Sequence, residues 1–261
     1  MTDSVSSARV FGAILLRDLT VARREIVSLL IRTALQPLLF VTIFGFLLPR
    51  MGMVRPGYTS VILPGVLALS LALSAMQAVA LPMVADFGFT KEIEDRLLAP
   101  IATSLVAVEK VVSGTVQGLL SALFVLPMAR LIMGPIPGVT FRHLPLLVLV
   151  TILGGAAFSA LGLWLGTAIP PQQIGLMFNL ILAPMIMFGC AYYPWSGLRA
   201  VPVVQWAVLV NPLVYVSEGL RGTLTPAVPH MPIAVSAAAM VVVGGIFLRL
   251  GLRSFRRKAI G

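Results

Sequence analysis

The sequence predicts an all-α integral membrane protein with six transmembrane helices. An amphipathic interfacial helix precedes the first span, a short charged helix joins spans two and three on the cytoplasmic side, and a re-entrant helical element precedes the last span on the outside. Two observations carry the class. Hydrophobic residues make up 59% of the chain and charged residues 11%, with a mean hydropathy of +1.02, whereas soluble domains hold about 45–50% apolar residues. Several runs also pass ~18 residues without a charge, the length at which a helix crosses the hydrocarbon core. A large soluble helical core would need polar helix faces, and these runs lack them.

The elements follow in order. Within residues 9–25, Val10, Phe11, Ile14, Leu15, Val21 and Ala22 are apolar, while Arg9, Arg17, Asp18, Arg23, Arg24 and Glu25 carry charge. Such a helix lies in the membrane interface. The first long apolar run starts after this stretch and is too long for the core of a cleavable signal. Spans are expected at 29–49, 59–85, 104–133, 144–169, 174–194 and 231–250. Arg32 sits near the start of the first, where a long side chain snorkels to the headgroups. Between spans two and three lies a charged island, Lys91, Glu92, Ile93, Glu94, Asp95 and Arg96, followed by Leu97. A polar element held tightly between two spans points to a docking site for a soluble partner. Ile93 and Leu97 are four apart and would fill a groove on that partner, with the acids meeting basic residues. The plainer reading is a solvated cytoplasmic loop.

Residues 200–217 are uncharged and marginally long enough to span, but contain Pro202, Gln205, Asn211 and Pro212. Proline and asparagine there break the helix and leave backbone groups needing partners. A broken helix that enters and leaves by one face fits better. Parity agrees. Six spans put the N-terminal Arg9, Arg17, Arg23 and Arg24 on the same side as the tail Arg249, Arg253, Arg256, Arg257 and Lys258. The excess of Lys and Arg in cytoplasmic loops then places both termini in the cytoplasm. The loops 50–58 and 134–143 and the region 195–230 face outside, and 169–173 faces inside. The chain, residues 1–261, reads as a single domain.

The net charge of +10 follows from this topology and not from nucleic-acid binding. A phosphate-binding loop needs Gly-Lys followed by Ser or Thr, and none of Lys91, Lys110 and Lys258 follows a glycine. The spans show no acidic pair suited to using an ion gradient. Uphill transport would therefore draw its energy from a partner, through the island. The single cysteine, Cys190, excludes an intramolecular disulfide. His143 and His230 fall in separate loops and suggest no metal site.

Two stretches carry a family resemblance. Residues 89–101 read Phe-Thr-Lys-Glu-Ile-Glu-Asp-Arg-Leu-Leu-Ala-Pro-Ile, and 210–222 read Val-Asn-Pro-Leu-Val-Tyr-Val-Ser-Glu-Gly-Leu-Arg-Gly. The chain resembles the ABC-2 type (type V exporter) transporter permeases over essentially its whole length. The resemblance implies a connecting helix over 9–25 (Arg17, Asp18, Arg23, Arg24) and a coupling helix over 86–100 (Lys91 to Leu97). It implies an external re-entrant region over 195–230, with Asn211, Pro212, Tyr215, Glu218 and Arg221 at the gate. It further implies a multi-pass plasma (inner) membrane permease that is not itself an enzyme and binds no cofactor. ATP and Mg would sit on two copies of a cytoplasmic ATPase subunit. A second permease, identical or different, would complete the pathway, with lipid around it. Members similar to this chain export drugs and antibiotics; polysaccharide and lipo-oligosaccharide permeases are the alternative. An apolar lining of Leu, Val, Met and Phe would suit an amphipathic or lipid-linked cargo.

Other features have plain readings. Glu218 and Arg221 are three apart and would pair on one helix face. Tyr192, Tyr193 and Trp195 suggest an aromatic belt at the outer interface. Gly114–Gly118 and Gly162–Gly166 have GxxxG spacing, which fits close packing within one subunit as well as contact between two. An aquaporin-like channel would need two matching Asn-Pro half-helices, and there is one. A lipid-modifying enzyme would need a nucleophile and base together near an interface, and none is evident.

Overall fold

The longest apolar run becomes the most buried helix. In the computed structural model, which describes Gly12, residues 15–17, Thr20, 35–90 and 103–260, α2 (Tyr58–Ala85) runs through the centre with nearly its whole circumference covered. A helix that is hydrophobic all round belongs in such a position. The others are α1 (Leu35–Arg50), α3 (Thr103–Met133), α4 (Leu144–Ala168), α5 (Ile174–Met187), α6 (Pro202–Ala207), α7 (Pro212–Leu224) and α8 (Ile233–Ile260). No strand occurs among the described residues. α2 packs against α1, α3, α4 and α7, and α8 lies along α4.

The close approaches come from small residues. A Cβ at Gly114 or Gly118 would meet the Ala75 or Leu71 carbonyl of α2, at 3.0 and 2.9 Å. At Gly162 and Gly166 it would meet the carbonyls of Met76 and Ala80, at 2.3 and 2.8 Å. Both GxxxG pairs are thus spent within the subunit, on two sides of α2, where they let backbones touch.

Among the described residues four helices are long and apolar enough to cross a membrane: Tyr58–Gly88, Ser104–Met133, Leu144–Ala168 and Ile233–Ala259. They match four of the six expected spans. The span expected at 29–49 is described from Leu35, and its Val41–Leu47 stretch is a π-helix. The span expected at 174–194 is shorter than its apolar run. α5 stops at Met187, about 21 Å at 1.5 Å per residue, short of the ~30 Å hydrocarbon core. Pro184 lies in its last turn and Cys190 follows at φ 53°. That is left-handed backbone, which cannot continue a helix. Apolar composition alone does not show where such a chain turns.

The 200–217 segment is not one straight helix. Residues 202–210 and 212–224 form two helical pieces bent by 100° at Asn211. Together with 51–57, 134–143 and 188–201 they make one end of the bundle loop-rich. The opposite end carries the Asp86–Thr90 π-turn and the last turns of α8.

Candidate functional site: the bent helix pair and its ionic knot

The bend is written in two residues. Proline disfavours helical backbone in the residue before it, and Asn211 is extended, at φ −83° and ψ 115°. Pro212 then occupies the first position of α7, where its missing N–H costs nothing. Asn211 serves both sides of the corner. Its Oδ1 accepts from the Leu213 N–H at 3.0 Å, an N-cap. Its Nδ2 donates at 2.8 Å to the Met185 carbonyl, one of the carbonyls that the end of α5 leaves unpaired. The Tyr215 hydroxyl donates across the corner to the Leu209 carbonyl at 2.7 Å.

One and two turns further along α7 lie Glu218 and Arg221, both fully buried and paired with each other. Their remaining contacts reach three other segments. Glu218 Oε1 also accepts from the Trp195 N–H at 2.9 Å, and Oε2 from the Met231 N–H at 2.7 Å. Arg221 Nη2 donates to the Cys190 carbonyl at 2.9 Å and to Val61 of α2 at 3.2 Å. Only its Nε finds no partner among the described residues. Buried charge is tolerated when it is paired and hydrogen-bonded, and removing one partner strands the other. The pair therefore works as a knot that ties α7, α2, the 188–195 turn and the start of α8.

The aromatic residues Tyr192, Tyr193 and Trp195 near this knot are half-buried. Trp195 Nε1 donates to the Gln205 carbonyl at 2.9 Å, and Gln205 Nε2 donates back to the Trp195 carbonyl at 3.4 Å. Tyr192 packs on Phe40 and Phe44 of α1, with ring centroids 5.2 and 5.1 Å away. Its carbonyl accepts from the Tyr58 hydroxyl at 3.0 Å. These contacts make Tyr192 and Trp195 struts of the loop-rich end, where the aromatic belt was expected.

Between α5 and the bent pair opens a cavity of about 470 Å³. Its walls include Ile181, Met185, Phe188, Val204, Val208 and Asn211. Asn211 is the one polar lining residue, and both polar atoms of its side chain are already bonded. The cavity therefore offers hydrocarbon contact and no directional recognition.

The expected gate residues Asn211, Pro212, Tyr215, Glu218 and Arg221 thus come together within one corner of the fold. The expected coupling residues, Lys91 to Leu97, lie outside the described residues, as do Asp18, Arg23 and Arg24 of the expected connecting helix. Arg17 is helical and exposed. Sequence reasoning passed over Asp86, Glu109 and Lys110, all buried at the end opposite the knot. The signal was available, since Glu109 and Lys110 are charges within an otherwise apolar run. Among the described residues no cluster of three or more His, Cys, Asp or Glu could hold a metal ion.

With this geometry in view, comparison with known families is informative. The family model described as ABC-2 type transporter matches residues 9–225. The match begins at the amphipathic stretch and ends at Thr225, just past α7. No curated protein matches the chain.

Proposed function

Because the chain belongs to the ABC-2 type transporter family, we propose that it is the permease of an ATP-driven exporter, and that the bent pair 202–224 is its outer gate. The chain is a membrane component of an ABC transporter and not the ATPase itself. In the proposed arrangement six spans put both termini in the cytoplasm of a cell whose plasma membrane holds the protein. Lys91 to Leu97 dock on a separate ATPase subunit, with Arg17, Asp18, Arg23 and Arg24 beside them. Two copies of each subunit enclose the pathway. ATP and Mg are bound by the ATPase.

The observation that carries the gate reading is the 100° corner at Asn211, whose polar groups are bonded on both sides. Irregular backbone at membrane depth needs protein or water around it. Here Asn211, Tyr215, Glu218 and Arg221 supply the protein. These bonds keep the corner's polar groups away from lipid and tie it to α5, α2, the 188–195 turn and the start of α8, so gating would move the corner together with those neighbours. The apolar cavity beside it supports an amphipathic cargo, a drug, an antibiotic or a lipid-linked molecule, over a polysaccharide, which would need polar walls.

The test is co-purification with the ATPase subunit. Charge reversal at Glu94 and Asp95 should abolish co-purification and transport while membrane levels stay normal, since truncating a buried interfacial charge pair costs about 2–5 kcal/mol. Unchanged association and transport would return the island to an ordinary solvated loop.

A further inference from the structure

We propose that the last turns of α8 form a binding face for anionic phospholipid of the cytoplasmic leaflet. This face consists of Arg249, Arg253, Arg256 and Arg257, all exposed. At 100° per residue they fall within one sector of the helix. Val242, Gly245 and Ile246, exposed one or two turns earlier, fall in the same sector. Gly251 and Phe255, on the opposite side, are buried against the bundle. One continuous outward face thus changes from hydrocarbon to guanidinium at Arg249.

Charge complementarity identifies the occupant. The sequence contains no acid after Glu218, and α4, which lies along α8, carries no charged residue. Among the described residues these four guanidinium groups have no carboxylate partner, which leaves them open to an outside anion. Continuity decides which one. The apolar part of α8, from Ile233 to Leu248, is about 24 Å long at 1.5 Å per residue, against a hydrocarbon core of ~30 Å. That is a little short of the core, so Arg249 reaches the headgroups of the leaflet at this end by snorkelling, and Arg253, Arg256 and Arg257 follow one to two turns further out. Planar guanidinium groups bind phosphate oxygens in pairs of parallel hydrogen bonds, and basic residues beside a span draw anionic lipid.

The inner side of the same helix turns gives this binding a consequence. Phe255 meets Phe87 edge to face, with ring centroids 5.5 Å apart. The Lys258 ammonium lies 5.3 Å from the centre of the Phe87 ring. Phe87 belongs to the Asp86–Thr90 turn, which leads directly into the charged island. Phosphates gripping the outer face fix the depth and rotation of α8, and with them the seat of Phe87. The face therefore makes the base of the island sensitive to the lipid around it. This part rests on the cytoplasmic placement of the tail proposed above.

The test uses the purified full-length permease in bilayers of phosphatidylcholine with spin-labelled lipid added. Electron paramagnetic resonance then reads how strongly the protein immobilises labelled phosphatidylglycerol relative to labelled phosphatidylcholine. The wild type should prefer phosphatidylglycerol several-fold. The preference should collapse towards unity in the variant with all four arginines changed to Gln, and in high salt. It should survive in the variant with all four changed to Lys. No preference in the wild type, or full preference in the Gln variant, would overturn the proposal. If the Gln variant does not fold, Arg256→Gln with Arg257→Gln alone should still lower the preference, and an unchanged value would count against it. The measurement does not depend on sidedness. A wrong topology would instead show in a C-terminal reporter active only outside the cytoplasm, so the two failures are distinguishable.

Discussion

Arg221 and Arg256 carry the same guanidinium into opposite surroundings. Arg221 is fully buried and joined to Glu218 and to carbonyls on two other segments. Arg256 stands exposed at the far end of α8 in a stretch of chain without acids. The first has exchanged water for protein partners and now holds four segments in register. The second keeps its charge available to whatever lies outside. In one bundle, then, α7 buries its arginine among bonds that fix structure, whereas the end of α8 leaves its arginines exposed. The two ends should answer differently to the same kind of substitution.

The largest expected effect is at the knot. Arg221→Met leaves the Glu218 carboxylate buried and uncompensated, and should cost about 3–5 kcal/mol, seen as a large fall in the thermal midpoint of the detergent-purified permease. Adding Glu218→Gln to that variant should recover much of the loss, because the stranded charge is gone. By contrast, Gln at any one of Arg249, Arg253, Arg256 and Arg257 should leave stability within about 0.5 kcal/mol. Equal losses at the two ends would erase the distinction.

Next comes Gly65, which sharpens how the knot is seated. A Cβ there would stand 1.9 Å from the Ala191 carbonyl oxygen, next in the chain to Cys190. Gly65→Ala must push the 188–195 turn off α2, and overpacking of this kind costs about 1–3 kcal/mol. The loss should be read in the same thermal assay. A neutral result would mean that the turn is not pressed on α2.

Asn211→Ala should cost about 1–2 kcal/mol through the lost N-cap. Asn211→Ser keeps a capping oxygen and loses only the donor to Met185, so its thermal midpoint should lie above that of the alanine variant. Smallest of all is Cys190→Gly. Left-handed backbone costs a residue with a Cβ about 1–2 kcal/mol, and glycine relieves it. That gain offsets the lost packing of a small buried side chain, leaving a shift too small to resolve clearly in the same melt.

Much of this contrast was legible in the residues themselves. The runs from Tyr58, Thr103, Leu144 and Ile233 became helices because each stays largely apolar over the length of a span, in spite of Pro64, Pro82 and Pro127 inside them. The corner was legible as Asn211-Pro212, a local signal with local chemistry. The Glu218–Arg221 pair was legible from its spacing of three. Its reach to Val61, Cys190, Trp195 and Met231 was not, because those partners are carbonyls and amides that every residue carries. The early end of α5 was hidden as well. The chain stays apolar through Tyr193, while Pro184 and the left-handed Cys190 turn it at Met187. Glu109 and Lys110 were marked out as charges within an apolar run, but what covers them and Asp86 depends on neighbours distant in sequence.

The most direct test of the account concerns the corner at Asn211. In a Cys190→Ala background, single cysteines at Val203, Val208 and Val210 would be treated with a membrane-impermeant thiol reagent on intact cells, and again on the reconstituted complex with and without ATP. All three line the cavity, but Val203 and Val210 are exposed whereas Val208 is buried. The account predicts labelling from outside at Val203 and Val210, slower labelling at Val208, and a change at Val208 when ATP drives the complex. Labelling of Val203 from one side of the membrane and of Val210 only from the other would contradict it, for the segment would then cross the membrane and could not be an outer gate.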